Sequence, residues 1–79
     1  MELYYRSGFK WSINEILRLQ REYELLELDM NEIAVRHGRT PTAIMYKLDN
    51  EGFANYDKLY FEYQRQLIDE NMANLLNKK

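Results

Sequence analysis

Seventy-nine residues make one domain, near the lower size at which a single hydrophobic core suffices without staples. The absence of cysteine excludes a disulfide framework and a thiolate metal site, and a 46% hydrophobic share excludes a wholly disordered chain. Lys and Arg number 11 against 13 Asp and Glu, a net charge of −2, so any contact with nucleic-acid phosphates must use a local basic face on an acidic molecule.

The chain opens with an arm, residues 1–11, that carries Arg6 and Lys10. No apolar run reaches the roughly 18 residues of a membrane span, and the start lacks a signal peptide's basic-then-apolar order. An intracellular location with no membrane partner is therefore expected.

The first helix is announced by Ser12 and Glu15, a capping box that satisfies orphan amides at a helix start. Ile16, Leu19, Tyr23 and Leu26 then recur at spacings of three and four, which predicts one buried stripe ending near Glu27 or Leu28. Trp11, just before the cap, is placed to pack over the first turn. Asp29 caps a second helix, with Glu32 repeating the box and Leu28 and Ile33 forming a hydrophobic staple. Ile33 and the small Ala34 face the core, and Gly38 ends the helix in a left-handed conformation.

Thr40 and Pro41 restart the chain, since Thr caps and Pro at the first turn forfeits no hydrogen bond. On this third helix Ile44 and Leu48 point to the core, and Gly52 terminates it. A fourth helix begins at Asn55 or Asp57 and runs to about Leu76 without Gly or Pro. Tyr56, Tyr60, Tyr63 and Leu67 make one stripe on it, while Leu59, Phe61, Ile68, Met72, Leu75 and Leu76 spread over other faces. So much apolar surface exceeds what a trihelical core covers, which predicts a homodimer or a protein partner meeting Tyr56, Tyr60, Tyr63, Leu67, Ile68, Met72 and Leu75.

Residues 32–48 read as helix, glycine turn and helix, the grammar of a helix-turn-helix whose second helix enters the DNA major groove. The face opposite the core would then offer Thr42, Met45, Tyr46, Asp49 and Asn50 to base edges. Arg6, Lys10, Arg36, His37, Arg39, Thr40 and Lys47 gather in the arm and around the turn as phosphate contacts, with Lys47 reaching out by its long stem. The base-facing set lacks the bidentate arginine–guanine and asparagine–adenine pairs that discriminate most strongly.

Trp11-Ser12-x-x-Glu15-x-x-x-Leu19, then Glu32-Ile33-Ala34 and Arg39-Thr40-x-x-Ala43-Ile44-x-x-Lys47-Leu48, resemble the Myb/SANT-like trihelical family. The likeness is nearest to its compact GcrA-like versions and to small domains common in phage and large DNA virus genomes. It covers roughly residues 6–53, with the Arg6-Ser7-Gly8-x-x-Trp11 arm included. The resemblance implies three helices, the third in the major groove and the arm on the backbone or minor groove. Relatives with less basic third helices are read as protein binders.

The expected architecture is thus all-α: an arm (1–11), a trihelical helix-turn-helix domain (12–53) and a long C-terminal helix (55–77). One His, no Cys and no glycine-rich phosphate loop give little basis for catalysis, a metal or another cofactor. Two functions follow. One is a small regulator-like protein binding double-stranded DNA, and the other is a protein-interaction module acting through its tyrosine-rich surface.

Overall fold

The computed structural model describes residues 8–77, the side chains of 70, 71 and 73–77 excepted. Among these residues three short helices, α1 (Ile13–Glu24), α2 (Met30–His37) and α3 (Pro41–Asn50), precede a longer α4 (Tyr56–Asn77). This is the expected all-α order. No helix of the described residues is long and apolar enough to cross a membrane.

Local chemistry sets each start. Ser12 Oγ accepts from the Glu15 amide at 3.1 Å, Asp29 Oδ1 from the Glu32 amide at 2.8 Å, and Thr40 Oγ1 from the Ala43 amide at 3.1 Å. Asn55, and not Asp57, caps α4, its Oδ1 accepting from the Lys58 amide at 3.1 Å. Each cap satisfies an amide that has no partner within the helix.

The helix ends are equally local. Gly38 closes α2 with φ 63° and ψ 34°, the left-handed region where a Cβ costs about 1–2 kcal/mol. At the end of α1 that conformation falls on Glu27, φ 52°, while the Leu28 amide donates to the Glu22 carbonyl at 3.0 Å. The helix stops at Glu24, earlier than the apolar spacing predicts. Leu26 therefore leaves the helical stripe and is 49% exposed.

Leu19, Met30, Ile33, Ala34, Ile44, Met45, Leu48 and Leu59 form the core, with Trp11, Tyr23, Leu28, Phe53, Tyr56 and Tyr63 packed around it. Each helix contributes, and α3 is gripped on two sides, by α2 and by α4. The grip on the α4 side is fixed by the short connection: the Tyr56 amide donates to Asp49 Oδ2 at 2.7 Å. Farther along, Tyr63 donates its hydroxyl to Asn31 Oδ1 at 2.8 Å, which ties α4 to α2.

Candidate functional site

Four of the expected phosphate contacts, Arg36, His37, Arg39 and Thr40, lie at the end of α2 and in the turn to α3, and two of them point inward. His37 is completely buried and Arg39 is 3% exposed. Arg39 grips Glu15 with two parallel bonds, Nε to Oε2 and Nη2 to Oε1, both 3.0 Å, and its Nη1 donates to the Phe9 carbonyl at 3.0 Å. The guanidinium also lies over the Trp11 ring at 4.1 Å. This arrangement holds Arg39 by charge-assisted and cation–π contacts at once.

His37 stands between two carboxylates. Nδ1 lies 2.9 Å from Glu15 Oε2 and Nε2 lies 2.6 Å from Glu22 Oε1. A neutral imidazole has a single N–H, so pairing both contacts takes a proton on each ring nitrogen or on one carboxyl. Arg18 closes the edge of the cluster, with Nη2 donating to the Arg36 carbonyl at 3.3 Å and Nε 3.7 Å from Glu22 Oε2. Its Nη2 also stands 3.4 Å from His37 Nδ1, but the shorter contact to Glu15 governs that nitrogen.

The phosphate set is corrected accordingly. His37 and Arg39 are withdrawn because they are buried beside Glu15 and Glu22, whose charges they help to compensate. Lys47 is paired with Glu51 at 3.1 Å and leans over Trp11, 5.7 Å from the ring centre. Arg36 is half-exposed and 3.9 Å from Glu32. Thr40 serves as a helix cap, Lys10 is exposed, and Arg6 lies outside the described residues.

The base-facing set is corrected at one position. Thr42, Tyr46, Asp49 and Asn50 are exposed on α3, but Met45 is wholly buried. A helix held on two sides has a wider buried arc than the one-sided stripe that the spacing assumes.

Tyr46 belongs to an aromatic surface that α3 and α4 share. The Tyr46 and Tyr56 rings stack with centroids 4.3 Å apart and 15° between planes, and Tyr60 continues the stack 5.9 Å from Tyr56 at 19°. Tyr46 is 56% and Tyr60 45% exposed. The sequence placed Tyr46 in one expected site and Tyr56 and Tyr60 in another, and the structure joins them. The signal was the short interval from Gly52 to the Asn55 cap, which lays the start of α4 beside α3.

The expected partner set on α4 divides by face. Tyr56 and Tyr63 pack on the core and Leu67 is half-buried, whereas Ile68 and Met72 are exposed. Leu75 lies outside the described side chains.

Two tyrosines are perturbed. Partial burial pushes the Tyr23 hydroxyl above the usual tyrosine range, and Glu62 and Glu24 add to the effect. Tyr56 is raised by burial, then by the Tyr46 hydroxyl beside it, with Tyr46, Tyr60 and Asp57 contributing. A phenol held neutral in the fold contributes stability that is complete below its unfolded pKa of 10.0 and is lost as pH climbs through the higher folded value. Urea midpoints are thus expected to fall above about pH 10, and Tyr23→Phe to flatten that fall. A wild-type midpoint unchanged across this range would contradict the assignment.

No family model, characterised protein or solved structure matches the chain.

Proposed function

We propose that this chain is a protein-interaction module whose contact surface is the Tyr46–Tyr56–Tyr60 stack. The three mutually stacked rings, exposed at Tyr46 and Tyr60, are the observation that carries the reading. Tyrosine combines large apolar area with a polar tip and few rotatable bonds, so binding orders little that is not ordered already. Here the rings stand on two helices joined by the Asp49–Tyr56 bond, which presents them as a rigid patch. We take the scaffold to be Myb/SANT-like on the resemblance of residues 6–53, with which three short helices and a Trp11 packed on their core are compatible.

Electrostatics favours this over duplex DNA. Phosphate neutralisation needs accessible cations, yet the turn has its His37 and Arg39 buried, and Arg36 and Lys47 already face carboxylates. Asp49, on the outward side of α3, adds a repulsive charge.

The test uses the wild-type chain and a Tyr46→Ala/Tyr60→Ala variant as baits in extract of the source cells, with enrichment quantified by mass spectrometry. A specific partner enriched by the wild type should drop by about tenfold or more with the variant, as loss of interface aromatics typically costs over ~1.4 kcal/mol. Circular dichroism should be the same for both. Random duplex at low salt should give no change in fluorescence anisotropy. Salt-sensitive duplex binding weakened by Lys10→Ala or Arg36→Ala would replace this reading with the DNA one.

A further inference from the structure

Helix α4 has a second apolar face, turned away from the domain. Its inner side is seated through Leu59, Tyr56 and Tyr63. Phe61, Ile68 and Met72 remain 67%, 59% and 53% exposed. Spacings of seven and four put these three within about 40° of one another on the helix circumference, opposite the seated side. An exposed apolar row on the back of an already packed helix marks a contact with another helix.

The charges beside the stripe identify that helix. Arg65 and Asp69 are exposed, lie on the same flank of the stripe on either side of Ile68, and form no ion pair among the described residues. When two helices pair antiparallel, like flanks meet; when they pair parallel, opposite flanks meet. A charge of each sign on one flank is thus self-complementary only in the antiparallel arrangement. Arg65 then faces Asp69 of a second copy, and Asp69 faces its Arg65, so the pair is made twice.

The apolar residues demand the same register. An antiparallel pair that places Phe61 beside Met72 of the second copy, Ile68 beside Ile68, and Arg65 beside Asp69 has its midpoint between positions 66 and 68 in all three cases. These midpoints agree to about 2 Å along the axis. We infer that α4 is the seam of an antiparallel homodimer, with Ile68 at its centre. The seam runs only about 16 Å from Phe61 to Met72, so the dimer forms in a concentration-dependent way. Tyr60 stands about a quarter turn from the stripe, which leaves the tyrosine stack open in the dimer. The inference is independent of what the tyrosine stack binds.

Sedimentation equilibrium of the full chain, from about 5 to 500 μM, tests this. The wild type should shift from monomer to dimer, and Ile68→Asp should stay monomeric with an unchanged circular dichroism spectrum. Arg65→Asp and Asp69→Arg should each weaken the dimer by about tenfold or more, because each sets like charges opposite one another twice. The doubly exchanged chain should recover to within about threefold of the wild type. Orientation is read from single cysteines, since the chain has none of its own. A mixture of Phe61→Cys and Met72→Cys chains should cross-link on oxidation, and Phe61→Cys alone should not. A wild type that is monomeric at the highest concentration, a dimer indifferent to Ile68→Asp, failure of the double exchange to recover, or self-cross-linking of Phe61→Cys would each overturn the inference.

Discussion

Replacing Arg39 with methionine is expected to lower the stability of the fold by about 3–5 kcal/mol. The side chain is 3% exposed and its partner Glu15 is 4% exposed, so the variant takes the bidentate cation from a carboxylate in a place water does not reach. His37, which also serves Glu22, would still face Glu15 but would not replace the bidentate guanidinium. Small domains hold roughly 5–15 kcal/mol in total, so this one change consumes a large part of it. Equilibrium urea unfolding monitored through Trp11, the only tryptophan, reads the loss directly. The effect belongs to the buried negative charge that has lost its guanidinium, and removing that charge as well should reverse much of it. Arg39→Met with Glu15→Leu is expected to be more stable than Arg39→Met alone, as apolar replacement of both partners commonly is. Arg36→Ala provides the contrast. Arg36 sits three positions away in the sequence, half-exposed and 3.9 Å from Glu32, and its loss should register within about 0.5 kcal/mol. If Arg39→Met and Arg36→Ala fell equally, the buried cluster would have no structural weight.

The two arginines show where a sequence stops being informative. Both read as cations near a turn, and nothing in their local spacing separates them. What separates them is Glu15, 24 positions before Arg39, which stands four residues before Leu19 and so on the same side of α1 as the core. Glu22 lies three residues after Leu19 on that side. Reading Glu15 as half of a capping box was correct for the backbone, since Ser12 does accept from its amide, but it left the destination of the carboxylate open. Buried glutamates at core spacing are themselves the signal for a cationic partner elsewhere in the chain. Helix starts and stops were far more legible. Ser12, Asp29, Thr40 and Asn55 act on amides three residues away, and Gly38 acts through its own φ, so neither needs information from a distant segment. The early stop of α1 was not legible, because its left-handed residue is Glu27 and not a glycine.

Met45 and Tyr46, adjacent on α3, should respond oppositely to truncation. Met45→Ala is expected to cost about 2–5 kcal/mol, the range for emptying a fully buried large side chain. Tyr46→Ala should cost no more than about 0.5–1.5 kcal/mol, the worth of its stacking on Tyr56, because more than half of the residue already faces water. Partner binding should show the reverse order: Met45→Leu, which keeps the volume and should cost under about 1.5 kcal/mol, leaves the tyrosine patch intact, whereas Tyr46→Ala removes one end of it. Urea midpoints of the three variants give the stability order, and bait enrichment gives the binding order. The difference between the two residues arises because α3 is gripped by both α2 and α4. With only α2 against it, α3 would bury Ile44 and Leu48 and leave Met45 at the water's edge. With α4 tied down by the Tyr56–Asp49 bond, the buried arc extends to Met45 and the exposed arc shrinks to Thr42, Tyr46, Asp49 and Asn50. Equal losses for Met45→Ala and Tyr46→Ala would mean that α4 does not hold this position in solution. The tyrosine stack would then lose the framework that makes it a rigid contact surface.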